Sequence, residues 1–409
     1  MAGSFPQPYP APHGNLPDEL FAADRSVACF AAKGLALRTP AACLGKVCVS
    51  LFRPFHRHRK TVSLHEQIVF YPSYASRTGG GWNIVVQGVV FDSRMTWLRR
   101  MPVMGLLRRA MRVDSSSLDF FRDRMRQFLL DCPHGRQIIV NVDGKPQIVA
   151  ESGVAGLFRS EVPVTPEQLQ TFPHETIGGT NWVQFQAVLP TGDHREFHGK
   201  AQLVEPIGVS VISDVDDTIK HSNVPNRRDL FHNTFARTFK SVSGMPELYR
   251  DCYAAGATFH YVSASPWQLF GPLSEFWQSE GLPPGSFHLK RFRIRDTARK
   301  LRMARQVPHK RATIAPILDA FPQRKFLLVG DSGEQDPEIY GQFLRERPEQ
   351  IAGVFIRGIR GECRKDAKLL RAFEGTDPAR WNVYADGLAV RDAALEALEQ
   401  ARRSLAGAS

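Results

Sequence analysis

The feature that most limits what this chain can fold into is a series of short apolar, β-branched runs in its second half. Each stops at a polar turn. IGVSVIS (207–213) ends at Asp214, TFHYVSA (258–264) runs into Ser265 and Pro266, KFLLVGD (325–331) ends at Asp331, and IAGVFIRGI (351–359) follows. Between them lie helix-like stretches, among them SGMPELYRDCYAAG and HKRATIAPILDAF. Strands too apolar to face water on either side, alternating with helices, predict a parallel sheet covered on both faces. An α/β unit with a Rossmann-like parallel sheet is therefore expected over residues 206–360.

The rest of the chain follows other patterns. Residues 61–205 carry β-branched and aromatic runs such as HEQIVFYPSY, WNIVVQGVVF, RQIIVNVDG, KPQIVAES and NWVQFQAVLP, separated by Gly, Pro, Asn and Asp. They predict a preceding β-rich, antiparallel domain. Within it, residues 97–113 mix Trp97, Leu98 and three methionines with Arg99, Arg100, Arg108, Arg109 and Arg112. Two readings stand, a helix packed on the sheet with its arginines in water and an interfacial segment touching acidic lipid. Residues 1–60 read as a flexible, then mildly amphipathic segment, ending in a basic run from Arg53 to Lys60 that is either a solvated linker or an anionic-membrane contact. Residues 361–409 read as a C-terminal helical segment.

Composition narrows the partners. The 409 residues include 53 Lys+Arg against 41 Asp+Glu, a formal charge of +12, which favours an anionic partner. Cys29, Cys43, Cys48, Cys132, Cys252 and Cys363 form no CxxC pair and have no histidines at zinc spacing, so a reducing, cytoplasmic setting is expected. The N-terminus does not read as a signal peptide, and residues 27–52 are broken by Lys33, Arg38, Pro40 and Lys46, so no bilayer span is expected.

In an open parallel sheet, ligands gather beyond the carboxyl ends of the strands. Asp214-Val215-Asp216-Asp217-Thr218 places two carboxylates at i and i+2 there; a lone pair of this kind is ordinarily a solvated turn, yet a turn aiming both at one site calls for a divalent cation, most simply Mg²⁺. Ser263 and Ser265 follow the second run, His309-Lys310 opens a helical stretch, and Asp331 and Asp336 flank a glycine-bearing turn after the third. Acid pair, hydroxyl, cation and acid pair, each at the edge of an element, together point to phosphoryl chemistry.

This set resembles the haloacid dehalogenase superfamily of phosphohydrolases. The wording ISDVDDTIKHSNV, GMPELYRDC, HYVSASPWQLF, HKRATIAPILDAFP and FLLVGDSGEQDPEIY resembles one branch, the actin-patch-associated phosphatidate phosphatase catalytic domain, over residues 205–360. The resemblance implies an aspartyl-phosphate route with Asp214 as nucleophile and Asp216 as general acid and base. It implies Ser263 as a donor to the phosphoryl group, with Ser265 as rival, and Lys310 as the neutralising cation, with Lys290 ranked second. It implies Mg²⁺ held by the Asp214 side chain, the Asp216 carbonyl and Asp331, with Asp336 as a further or alternate ligand. Residues 219–244 then read as a cap, with Thr218, Lys220, Ser265, Arg227 and Arg228 as substrate-binding candidates, or else as a surface loop with solvated cations. Phe231, Phe235 and Phe239 recur every fourth residue, more often a packing face than a lipid groove.

The function implied is hydrolysis of phosphatidate to diacylglycerol and phosphate by a cytoplasmic protein peripheral to an anionic membrane surface. The alternative is a phosphatase of the same chemistry acting on a soluble phosphomonoester or a nucleic-acid end, although nucleic acid is not the expected partner. A scaffold with a retired active site is disfavoured, because every catalytic residue type is present.

Overall fold

The computed structural model of the chain describes residues 60–94, 118–223, 227–290 and 307–407, together with Gly105 and Arg109. The basic run at 53–59, nearly all of the arginine-rich stretch 97–113, and the side chains of Arg227, Arg228 and Phe231 lie outside the described residues.

The first half is a β-rich body. Its strands are β1 (Glu66–Phe70), β2 (Ser73–Thr78), β3 (Gly81–Asp92), β4 (Gln137–Val142), β5 (Lys145–Glu151), β6 (Leu157–Val164), β7 (His174–Ile177), β8 (Thr180–Gln186) and β9 (His198–Val204). Seven of them form one sheet in the order β1-β3-β2-β9-β8-β7, with β6 also paired to β3, while β4 and β5 make a separate hairpin. The pairing is antiparallel except that β2 and β9 run parallel, a departure from the purely antiparallel expectation. Helix α1 (Leu118–Phe128) precedes β4.

The second half is the expected parallel sheet, and it is larger than the sequence suggests. Strands β10 (Val209–Ser213), β11 (Thr258–Pro266), β12 (Gly285–Lys290), β13 (Lys325–Asp331), β14 (Ile351–Arg357) and β15 (Trp381–Tyr384) lie in the order β12-β11-β10-β13-β14-β15, every pair parallel. Counted within this sheet the order is 3-2-1-4-5-6, the doubly wound arrangement, with the chain reversing direction beside β10. Strand β15 lies in the stretch read from sequence as helical. It is four residues long, too short to show a period.

Helices cover both faces: α2 (Arg227–Phe235), α3 (Met245–Ala254), α4 (Phe270–Ser279), α5 (Val307–Ala320), α6 (Asp336–Glu346), α7 (Ala367–Ala372) and α8 (Gly387–Ala406). Alternation along the strands divides the core. Val209, Val211, Leu327 and Val329 join one buried cluster with Met245, Trp277 and Val390, whereas Ile212, Phe326 and Leu328 join another with Ile314, Ile339 and Tyr340. In α8, Val390, Ala394, Leu398 and Ala401 form the buried stripe, and Asp386 caps its first turn by accepting from Leu388 and Ala389 N–H at 3.1 and 3.0 Å.

The two sheets share these cores. Tyr74, Val85 and Val204 of the β-rich body enter one cluster, and Tyr71, Val89 and Phe91 the other. The outer edge of β12 is covered from that body: Phe287 N–H donates to Pro72 O at 2.9 Å, and Gln87 Nε2 donates to Phe287 O at 2.9 Å. Beneath the junction, the buried Arg324 donates to the carbonyls of Glu205, Ile207 and Val209 and to the hydroxyls of Ser210 and Thr258. That clamp fixes the chain where it passes from the β-rich body into β10, the strand that delivers the acidic turn. No helix among the described residues is long and apolar enough to cross a membrane.

Candidate active site

At the end of β10 the chain does not enter a helix. It folds back in a tight loop, with Ile219 and Lys220 N–H both donating to Val215 O and Asp217 in the left-handed region at φ 57°. Asp217 Oδ1 fastens the loop by accepting from Ser222 and Asn223 N–H at 2.8 and 2.7 Å, and Arg357 donates to the Asp217 carbonyl at 2.7 Å. The result is that Asp214 and Asp216, both buried, point to different partners.

Asp214 faces β13. Its Oδ1 lies 2.8 Å from Lys310 Nζ, and Thr218 Oγ1 donates to its Oδ2 at 3.2 Å. Lys310, near the start of α5, also pairs with Asp336 and, at 3.4 Å, with Glu334. Asp331, the last residue of β13, accepts Gly333 and Glu334 N–H through Oδ1 at 2.6 and 3.2 Å, while Asp336 Oδ2 accepts the Asp331 N–H at 3.2 Å. Burial pushes the Asp214 and Asp331 carboxyls well above the ordinary carboxylate range. Burial works against charge on Lys310 too, but Asp214 and Asp336 outweigh it and hold the ammonium firmly protonated.

The donor set fits a hard divalent cation. Asp214, Asp331 and Asp336 each offer a carboxylate oxygen within 4.8 Å of the others, and Asp331 Oδ2 is buried without a hydrogen-bond partner. An oxygen so enclosed is costly unless something positive meets it. Carboxylate oxygens in this number suit Mg²⁺ rather than a soft metal.

Asp216 faces the other way. Oδ1 lies 2.8 Å from Lys220 Nζ and accepts the Ser222 hydroxyl at 2.6 Å; Oδ2 accepts Ser263 Oγ at 3.0 Å and Ser265 Oγ at 2.6 Å. Burial raises this carboxyl, yet Lys220 and the hydroxyl donors overcome it and hold it below the usual range. The two aspartates therefore differ in charge preference although they leave the same strand.

Several candidates thus lie where the sequence puts them, but in other company. Ser263 and Ser265 both converge on Asp216. Thr218 braces Asp214. Lys220 is fully buried against Asp216, with its ammonium 4.6 Å from the Phe239 ring, rather than turned out toward a head group. Lys310 occupies the centre of the acid cluster; Lys290, its rival, lines the cleft beside Ser263 and Lys310. Phe235 and Phe239 pack on Phe128 and Phe276, with ring centroids at 5.1 and 6.0 Å, as the packing reading of that spacing has it. Nothing in the sequence singles out Ser222 or Lys368. Lys368 Nζ donates to the Ser332 and Glu334 carbonyls at 2.8 and 3.2 Å, holding the turn that carries Asp331 and Asp336.

A doubly wound parallel sheet thus carries buried acids and a lysine at its carboxyl edge. Residues 209–358 match the family described as "Phosphatidate phosphatase APP1, catalytic domain". The Saccharomyces cerevisiae protein named Phosphatidate phosphatase APP1 is 39% identical over 161 residues, 38% of this chain and 27% of that one. An uncharacterized Schizosaccharomyces pombe protein is 31% identical over 170 residues, 40% of this chain and again 27% of the relative. The matched stretch thus spans about a quarter of the length of these curated relatives.

Proposed function

We propose that this chain is a Mg²⁺-dependent phosphatidate phosphatase of haloacid dehalogenase type, working at an anionic membrane surface through an aspartyl-phosphate. The observation that carries the reading is the divergence of Asp214 and Asp216: one carboxylate in an acid–lysine cluster fit for a metal, the other in a separate shell of hydroxyls and an ammonium.

Asp214 supplies the attacking oxygen, forming an O–P bond as the bond to the glycerol oxygen breaks. Lys220 favours the Asp216 anion, so Asp216 must first take up a proton as substrate binds before it gives that proton to the departing alkoxide, producing diacylglycerol. As the anion that Lys220 favours, it then takes a proton from water, whose oxygen attacks phosphorus and frees Asp214 and inorganic phosphate. Lys310 and Thr218 hold Asp214 in place, and Ser222, Ser263 and Ser265 fix the direction of Asp216. Mg²⁺, held by Asp214 and Asp331 with Asp336 alongside, would supply positive charge to the phosphoryl group.

Phosphatidate as substrate rests on the likeness of residues 209–358 to the yeast phosphatase, and the membrane surface on the +12 charge. The test is phosphate release with Mg²⁺ from phosphatidate in mixed micelles, glycerol phosphate and an aryl phosphate. The reading expects phosphatidate to be preferred by kcat/KM. Preference for glycerol phosphate would move the substrate to the soluble phosphomonoesters, and release from none of them would remove the enzymatic reading.

A further inference from the structure

Among the described residues, and apart from the proposed Mg²⁺, the side-chain cations inside the site are already taken. Lys310 is shared among Asp214, Glu334 and Asp336. Lys220 is enclosed with Asp216. Arg357 donates to the Asp217 and Ala385 carbonyls. A phosphomonoester carries close to two negative charges at neutral pH and would enter a site whose acids, Asp214, Asp331, Glu334 and Asp336, already share Lys310 and the proposed Mg²⁺.

Lys290 stands differently. It is the last residue of β12, paired in register with Pro266 just past the irregular step that follows Ser263 in β11, so it sits at the same carboxyl edge as the acids. Its half-buried side chain lines the cleft formed with Val262, Ser263, Ala264, Lys310, Glu334 and Gln335. Among the described residues no carboxylate pairs with it, and Glu334, the acid in this lining, is bound by Lys310 at 3.4 Å. Gln335 brings a second unmatched group: its Oε1 is buried with no hydrogen-bond partner. The oxygen and nitrogen of such an amide exchange on a half-turn, which makes it a donor to an anion as readily as an acceptor.

We propose that Lys290, assisted by the Gln335 amide, is the substrate-phosphate contact of this site, gripping the phosphomonoester group that the reading above places next to Asp214. The proposal rests on that reading for the site's location. Because the charge Lys290 meets is present in bound substrate and transition state alike, its loss weakens binding more than it slows the chemical step.

The test is calorimetric titration of the full chain with inorganic phosphate in Mg²⁺, beside steady-state kinetics on an aryl phosphate and on phosphatidate. Lys290→Met is expected to weaken phosphate binding and raise KM for both substrates at least 10-fold, with kcat within about 3-fold of wild type. Gln335→Leu should shift both in the same direction by less, and Lys290→Arg should restore binding to within about 3-fold. A normal circular dichroism spectrum and melting temperature for each variant separate these effects from misfolding. Unchanged phosphate affinity and KM in Lys290→Met would overturn the assignment, as would equal losses in kcat and melting temperature or wild-type protein that binds no phosphate. Phosphate binding that depends on Lys290 in a chain that hydrolyses neither substrate would keep this inference while removing the catalytic reading.

Discussion

Lys220 and Asp216 meet across a single tight turn, ammonium 2.8 Å from carboxylate, with the lysine side chain wholly enclosed. An ion pair so buried is held by mutual need, because either partner alone would keep an uncompensated charge. Lys220→Met is accordingly expected to cost about 3–5 kcal/mol in urea unfolding. Lys220→Met with Asp216→Asn should recover much of that loss. The Asp216 carboxyl is held below its ordinary value, so the pair stabilises the fold above about pH 4 and fades as pH falls further toward the folded-state value. The acid side of the stability profile should therefore be shallower in Asp216→Asn than in wild type, and identical acid limbs would contradict the pairing.

A second pH effect arises where the two sheets join. His260 Nδ1 bonds the Ser286 hydroxyl at 2.8 Å, Ser286 bonds His288 Nε2 at 2.9 Å, and the Tyr74 ring packs 5.6 Å from His260 and 6.0 Å from His288. Burial keeps both imidazoles neutral, pushing His288 down to about 3. A folded-state value below that of the unfolded chain gives stability that is present above about pH 6.5 and lost as pH falls below it. The stability gap between wild type and His288→Gln should thus narrow from pH 6 to 4.5, by up to about 1.4 kcal/mol per pH unit. A constant gap would mean that His288 takes no part in the titration.

The buried, unpartnered Asp331 Oδ2 makes a prediction that needs no turnover. Mg²⁺ in millimolar excess is expected to raise the melting temperature of wild type, since a cation bound only by the folded chain adds stability by mass action. Asp331→Asn should abolish that rise. Lys368→Met should reduce it while changing stability without metal by less than about 1 kcal/mol, because Lys368 is half exposed. A rise that survives in Asp331→Asn would place the cation elsewhere.

Much of this architecture is legible from residues alone, for identifiable reasons. Strands β10, β11, β13 and β14 are buried on both faces, so their apolar runs stand out, and the strand ends mark Asp214, Ser263 and Asp331 without further help. Strands β7 and β15 have four residues each, and the parallel pairing of β2 with β9 joins residues more than a hundred positions apart. No local period encodes either. Lys220 reads in sequence as a cap cation that meets the head group, or else as a solvated one; only the fold-back at Asp217, anchored by its side chain and by Arg357, turns it inward. Lys368 lies far along the chain from the turn it holds, and a lone lysine in a short helix gives no local sign of its target.

Whether Asp214 is the proposed nucleophile is decided by Mg²⁺-dependent phosphate release from phosphatidate, compared between wild type and Asp214→Asn, both showing normal circular dichroism. Wild type should give measurable release that is lost in excess chelator, and Asp214→Asn should fall by at least about 10³-fold, as expected for removal of a covalent nucleophile. Retention of more than about a tenth of wild-type turnover by Asp214→Asn would contradict that role.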